Sequence, residues 1–329
     1  MAKIFVTRKT PGSHLEELSK DGHEVVISEF DRPLTGEELV RGVTGMDGII
    51  TLLTDRVDAD LMDAAGPQLK IVSNYAVGFD NIDVKAASDR GIVVTNTPSD
   101  EVNEAVAEHT WALILALARR VVEADESVRR GAFRGWNPGV FLGSSLIGKT
   151  LGIVGLGRIG SMVARRAKGY NMTVLYNKRT PDPEAEKELG VGFATLDDLL
   201  SKSDFVSLHV PLTDETRGMI NVSSLAKMKE GSYLINTARG PIVVESDLVE
   251  ALKTGKLKGA ALDVFENEPD VHPELINMQN VITTPHIGSA TIEARTKMGE
   301  QAVESIVSLF HNQKPQNLVN PEIWNNRRK

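Results

Sequence analysis

A chain of 329 residues has room for two domains of about 150 residues each, which excludes peptide hormones, disulfide knots and small regulatory modules. Hydrophobic residues make up 41% and charged residues 25%, so sizeable cores are available and disorder is not expected. A net charge of −8 without any block of five or more like charges argues against nucleic-acid or anionic-membrane partners, and zero cysteines remove disulfides, thiolate nucleophiles and Cys-based metal sites.

The opening stretch MAKIFVTRKT lacks the apolar core and small-residue cleavage site of a signal peptide. The longest apolar run, Trp111 to Ala118, falls far short of the ~20 residues that cross a bilayer. A cytoplasmic setting is expected, with no membrane partner.

From the N-terminus, the β-branched runs KIFVT, HEVVI, GIITLL, KIVSNY and GIVVTN alternate with amphipathic stretches such as Gly36 to Arg41. Parallel strands need crossovers that helices supply, so the first ~99 residues predict one α/β layer. Thr97-Pro98-Ser99-Asp100 is a breaker and N-cap cluster, and helical periodicity from Glu101 to Arg130 predicts one long helix bridging two domains. A Gly/Pro/Trp loop, GAFRGWNPGVFLGSS, follows it. Then come TLGIVG, MTVLYN, FVSLHV, SYLINT, GAALDV and VITTPH, the six strands expected of a dinucleotide-binding sheet. Beyond Pro285, Ala290 to Phe310 predicts a last helix that returns to the first domain.

Two glycine-rich signatures compete near the start of the second series. Gly143 to Thr150 matches the P-loop expression, but a strand pattern follows Lys149-Thr150, where a working P-loop needs a helix. Gly155-Leu156-Gly157-Arg158-Ile159-Gly160 matches GxGxxG between the strand TLGIV and the helical SMVARRAKGY. There Gly155 permits the tight turn, Gly157 lets a diphosphate approach the backbone, and Gly160 lets helix pack on strand. At the end of the next strand, where an acidic residue would accept from the ribose of NAD, stand Asn177, Lys178, Arg179 and Thr180. A missing carboxylate beside two cations suits a 2′-phosphate, so NADP(H) is favoured over NAD(H). The alternative is that both cations are solvated loop charges.

Ligands in open α/β sheets bind beyond the carboxyl ends of the strands. Three polar clusters occupy such ends: Asn236 to Gly240 (NTARG), Asp263 to Pro269 (DVFENEP), and Pro285 to Gly288 (PHIG). No HxH, HExxH or GxSxG spacing occurs, so a zinc site or a serine hydrolase is not expected.

The segments NYAVGFDNID, VGLGRIG, HVPLTDET, INTARG, DVFENEP and TPHIGSAT stand in the order and spacing of a known family. Through them the chain resembles the D-isomer-specific 2-hydroxyacid dehydrogenases over nearly its whole length. Within that family, TLLTDRVD, AVGFDNID and the WNP loop are most similar to glyoxylate/hydroxypyruvate reductases. The resemblance implies an α/β protein of two doubly wound parallel-sheet domains. A flavodoxin-like substrate domain would comprise residues 1–99 with 287–329, and a Rossmann cofactor domain residues 100–286. It places the catalytic roles on Arg239, Glu268 and His286. Arg239 would hold the carboxylate and ketone oxygen of a small 2-oxoacid, His286 would donate a proton as hydride arrives, and Glu268 would favour and orient the charged imidazole.

The same resemblance implies cofactor contacts from Leu156, Arg158 and Ile159 beside the three glycines, and from Thr237, Ala238, Arg239, His286 and Gly288. His209 and Pro211 would shape the adenine side. Thr216 either meets cofactor or caps a helix, and Asp263 either bonds the nicotinamide amide or caps the turn that follows it. On the substrate side stand Leu53 as an apolar lid, Ala76, and the backbone N–H groups of Val77 and Gly78. Trp136 either packs locally or reaches a neighbouring subunit's site in a homodimer. Alternatives are another D-2-hydroxyacid dehydrogenase, acting on 3-phosphoglycerate or lactate, and a non-enzymatic dinucleotide-sensing module. A phosphorylated substrate would want more cations than the single Arg56 near TLLTDR.

Overall fold

The computed structural model describes all 329 residues, which form two compact units, residues 1–102 with 290–329 and residues 103–289. The division falls inside the helix Asp100–Arg119, which starts where Ser99 Oγ accepts from Val102 N (3.2 Å).

The first unit carries strands β1 (Lys3–Val6), β2 (Glu24–Ile27), β3 (Gly48–Thr51), β4 (Ile71–Asn74) and β5 (Val93–Thr95). They form a parallel sheet in the order β2-β1-β3-β4-β5, the flavodoxin-like arrangement. Strands β3 and β4 are buried at every position, as strands covered on both faces must be. Helices Gly36–Val43, Ala59–Ala65 and Val84–Asp89 contribute Leu39, Val43, Leu61, Met62 and Ala87 to one core. The helix Ile292–Phe310 packs on β4, where Ser73 Oγ donates to Ala302 O (3.0 Å) and Tyr75 Oη to Arg295 O (2.6 Å). The free edge of β5 is taken up by the chain's last segment, with Val319 N donating to Val94 O (2.8 Å) and Val94 N to Asn320 Oδ1 (2.9 Å).

The second unit has seven parallel strands rather than six: β6 (Thr150–Val154), β7 (Thr173–Asn177), β8 (Gly192–Phe193), β9 (Phe205–Leu208), β10 (Ser232–Asn236), β11 (Leu257–Leu262) and β12 (Val281–Thr283). Their order is β12-β11-β10-β9-β6-β7-β8, the dinucleotide-binding arrangement with one strand added at an edge. The unforeseen member, β8, spans two residues, too few to show any alternation.

One helix predicted from Glu101 to Arg130 is two, Asp100–Arg119 and Val121–Arg129, joined by Arg120 in the left-handed region (φ 56°). The cause is tertiary. Ala118 O, which would accept the next helical N–H, is taken by Ser144 N at 2.8 Å. Gly143 passes so close that a Cβ there would lie 2.3 Å from the same carbonyl. Hydrophobic periodicity runs through the break unchanged, so the sequence pattern does not reveal it. The P-loop look-alike Gly143–Thr150 is a turn feeding β6, with no helix after Thr150.

Candidate functional site

Strand order reverses between β6 and β9, and the GxGxxG turn lies there. Gly155 has φ 101°, and a Cβ on it would sit 2.7 Å from the carbonyl of His209 at the end of β9. Gly160, in the helix Arg158–Ala167, would drive a Cβ to 2.2 Å from Gly155 O. Gly157 is different: it is extended, N-caps that helix, and an added Cβ would meet nothing within 4 Å. Open space therefore faces a helix start whose first N–H groups have no helical acceptor, a ready anion site. Leu156 is buried, Ile159 partly so, and the Arg158 side chain is exposed.

At the end of β7, Asn177 Nδ2 donates to Ala194 O (3.0 Å) and Asn177 O accepts from Gly155 N (2.9 Å), which ties the two turns together. Lys178 pairs with Asp182 and Arg179 with Glu215, each at 2.8 Å on the surface, and Thr180 is exposed. Exposed pairs of this kind contribute roughly 0–1 kcal/mol, so either cation is cheaply released to a better partner.

His209 Nε2 lies 2.8 Å from Ser207 Oγ, and burial pushes the imidazole pKa down from 6.5 to about 4. A histidine depressed in the folded state stabilises fully above pH 6.5 and loses that contribution as the pH falls toward 4. The melting temperature of His209→Gln is therefore expected to decline less than that of the wild type over this window. Parallel declines would show that the imidazole titrates as in an unfolded chain. Thr216 Oγ1 accepts from Thr213 N (2.9 Å) and donates to Pro211 O (2.6 Å), so it braces a turn. No helix begins there, which corrects the helix-capping alternative.

The three polar clusters lie beyond β10, β11 and β12 of the same sheet. After β10, the buried Asn236 accepts from Ala238 N (3.0 Å) and donates to Arg239 O (2.9 Å), which holds the backbone of Thr237, Ala238 and Arg239. Thr237 Oγ1 lies 2.9 Å from Thr110 Oγ1, and Arg239 Nη1 donates to Ala238 O (2.8 Å). Next in chain, Gly240 packs against the loop after β11 so tightly that a Cβ would fall 1.7 Å from Phe265 O. Glu245 and Glu266 lock the same two segments, each carboxylate accepting the other's backbone N–H at 2.8 and 3.1 Å. Burial pushes the Glu245 carboxyl up.

Within the second loop, Glu268 Oε1 accepts from Phe265 N (3.0 Å) and Oε2 lies 2.9 Å from His286 Nδ1. With Nδ1 committed to Glu268, Nε2 is the ring nitrogen left to meet a ligand. His286 has φ 54°, a conformation that non-glycine residues adopt only when their surroundings impose it. Asp263 imposes it from both sides. Its carbonyl accepts from His286 N (2.9 Å), and its buried carboxylate accepts from Ile287 N (2.9 Å) and Gly288 N (2.8 Å). The turn capped by these contacts is the one after β12, not the one that follows Asp263 in the chain, which corrects the capping alternative. The spacing of DVFENEP and PHIG did not disclose that one carboxylate joins them.

In the other unit, the loop after β4 holds Ala76 buried and pins two carbonyls, with Asn96 Nδ2 donating to Val77 O (2.7 Å) and Asn74 Nδ2 to Gly78 O (2.9 Å). The N–H groups of Val77 and Gly78 donate to no atom of the chain. Leu53 lines a cavity of about 450 Å³ with Arg56, Asp58 and Asn81, where Arg56 is paired to Asp58 at 3.0 Å. Trp136 is 87% exposed, so the local-packing alternative does not hold within one chain. No group of His, Asp and Glu side chains is arranged to hold a metal, and no helix is long and apolar enough to cross a membrane.

The family described as "D-isomer specific 2-hydroxyacid dehydrogenase, NAD binding domain" matches residues 111–288, more than half the chain. The chain belongs to the D-isomer-specific 2-hydroxyacid dehydrogenases. A glyoxylate reductase of Thermococcus onnurineus is 47% identical over 330 residues, covering 99% of this dehydrogenase and 98% of the relative. A solved protein of Thermus thermophilus superposes with TM-score 0.90 at 44% identity, over 96% of this chain and 99% of that one. An NADPH-dependent glyoxylate/hydroxypyruvate reductase of Sinorhizobium meliloti, solved with NADP and malonate, superposes with TM-score 0.83 at 35% identity, over 97% and 96%. The dehydrogenase takes a nicotinamide dinucleotide, and the open approach at Gly157 before the free helix start fits its diphosphate.

Proposed function

We propose that this dehydrogenase reduces glyoxylate to glycolate, and hydroxypyruvate to D-glycerate, with NADPH preferred over NADH. The observation that carries the mechanism is the 2.9 Å contact between Glu268 Oε2 and His286 Nδ1, beside the Arg239 loop. When bound, the reduced dinucleotide supplies a hydride. Arg239, with two parallel donors on one planar group, engages the substrate carboxylate and ketone oxygen and presents the carbonyl carbon. Negative charge grows on that oxygen as the hydride arrives, and His286 delivers the proton from Nε2. Glu268 stabilises the imidazolium before transfer and keeps the ring from turning. The product alcohol then carries one hydride and one proton more than the ketone. Taken by itself, the loop after β4 in the other unit offers the N–H groups of Val77 and Gly78 to a carboxylate, beside the small Ala76 and the apolar Leu53.

Steady-state oxidation of NADPH and NADH with a panel of small 2-oxoacids tests this reading. Turnover fastest on glyoxylate or hydroxypyruvate is expected, and no oxidation of either cofactor with any 2-oxoacid overturns it. Cofactor preference rests on Asn177, Lys178 and Arg179, and on the NADPH dependence of the Sinorhizobium relative. Lys178→Ala combined with Arg179→Ala is expected to raise the Michaelis constant for NADPH about tenfold more than that for NADH, the weight of one charge-assisted hydrogen bond. Equal changes for the two cofactors would show that neither cation meets a 2′-phosphate.

Trp136, Phe133 and Leu142 are 87%, 65% and 67% exposed on one loop. A second copy that covers this loop in a homodimer accounts for so much exposed apolar surface. Trp136→Ala is expected to lower turnover and shift the sedimentation coefficient toward the monomer, and unchanged sedimentation of a monomeric wild type would refute the dimer.

A further inference from the structure

His109 sits in the helix Asp100–Arg119, in the stretch VAEHTWALIL, where an otherwise apolar face turns inward. Its Nε2 lies 3.2 Å from Asp263 Oδ1 and 3.2 Å from Thr284 Oγ1, with only 16% of the side chain exposed. The Asp263 side chain is 1% exposed and receives three further donors: Thr284 Oγ1 (2.6 Å), Ile287 N (2.9 Å) and Gly288 N (2.8 Å). Those three come from the turn that Asp263 caps. His109 is the donor that comes from elsewhere in the fold.

Building on the reading of His286 as proton donor, we infer that His109 is a positioning residue, which anchors the Asp263 carboxylate to the long helix and so fixes the left-handed His286 above it. The three local donors suffice to form the turn, but they move with it. Among the donors to the carboxylate, only His109 belongs to an element that does not. Gly288 lies between the two, since a Cβ there would meet Asp263 Oδ2 at 3.1 Å and Val106 of the same helix at 3.6 Å. Burial works to raise the Asp263 carboxyl, yet hydrogen bonds from His109, Thr284 and Ile287 outweigh it and hold the group below the usual carboxylate range. Withdrawing one donor leaves a buried charge less well paired, and the turn shifts to recover the loss. A proton donor displaced by about 1 Å costs on the order of a hundredfold in rate.

The test compares wild type, His109→Leu and His109→Gln in full-length protein. His109→Leu is expected to lower kcat by roughly ten- to a hundredfold while the Michaelis constant for the dinucleotide stays near the wild-type value. Its kcat–pH profile should move, because the His286–Glu268 geometry changes, and amide exchange at His286, Ile287 and Gly288 should quicken. His109→Gln, whose amide can donate to Asp263, should recover most of kcat and the slow exchange. Where the leucine variant does not fold, His109→Asn, which keeps a polar side chain but falls short of Asp263, takes its place. Wild-type kcat, pH profile and exchange in the leucine or asparagine variant would overturn the inference, as would a glutamine variant no better than leucine. If the wild type reduces no 2-oxoacid, the functional reading fails on its own. The exchange rates at residues 286–288 still decide whether His109 holds the turn.

Discussion

His286→Ala is expected to abolish measurable 2-oxoacid reduction, with kcat down by about 10²–10⁴, the usual worth of a positioned general acid. The loss should fall on kcat, because the imidazole gives its proton as charge develops on the substrate oxygen and contributes little before that moment. Dinucleotide affinity, measured by fluorescence titration, should fall far less than kcat, since His286 is one expected contact among many and the GxGxxG turn lies beyond β6, at a different strand from the histidine beyond β12. Glu268→Gln keeps a group of the same shape at 2.9 Å from Nδ1 but removes the charge, so a smaller loss of kcat is expected from it. This pair of variants also separates a dehydrogenase from a dinucleotide-sensing module. A His286→Ala protein that turns over as the wild type does would remove the histidine from the chemistry.

Gly240→Ala is the second variant with a large expected effect, and it fails for a different reason. The added Cβ would lie 1.7 Å from Phe265 O, 1.9 Å from Phe265 C and 2.6 Å from Glu266 N. All three are backbone atoms, so no side chain can turn aside. The loop 265–268 must retreat as a whole, and it carries the reciprocal Glu245–Glu266 bonds and the Glu268 carboxylate. Overpacking costs about 1–3 kcal/mol where side chains can adjust, and a backbone collision belongs at or above the top of that range. A lowered urea midpoint together with loss of turnover is expected. Gly157→Ala is the control, because its Cβ meets nothing within 4 Å in the unliganded chain. It should melt at the wild-type temperature yet bind dinucleotide weakly. If Gly240→Ala folds and turns over normally, the close approach between the Arg239 and Glu268 loops is not required.

Much of the architecture was legible because it is encoded locally. Runs such as GIITLL are apolar at nearly every position, as strands covered on both faces are, and the alternation of strand runs with helical stretches dictates a parallel sheet. The GxGxxG turn was legible for the same reason: Gly155 and Gly160 answer backbone demands arising within a few residues or one strand away, while Gly157 leaves room for a ligand. The polar clusters at three strand ends could be picked out because parallel topology brings every carboxyl end to one edge.

What the sequence did not disclose depends on atoms distant along the chain. The break at Arg120 exists because Ser144 takes the Ala118 carbonyl, and no periodicity in residues 101–130 records it. Strand β8 is held by pairing with β7, since two residues have no preference of their own. The fates of Lys178 and Arg179, paired to Asp182 and Glu215, depend on side chains four and 36 residues away.

By itself, then, the sequence determined the fold class, the place of the dinucleotide turn and the polar clusters at three strand ends, because hydrophobic period and glycine geometry act over short range. Tertiary structure alone decided how those residues are held: Asp263 joining a helix to the His286 turn, Gly240 seating one loop on another, and Glu268 meeting His286 across 18 residues of chain. Hydrogen bonds and steric contacts between distant segments exist only once the sheet has brought the ends of its strands together, so no local pattern can carry them.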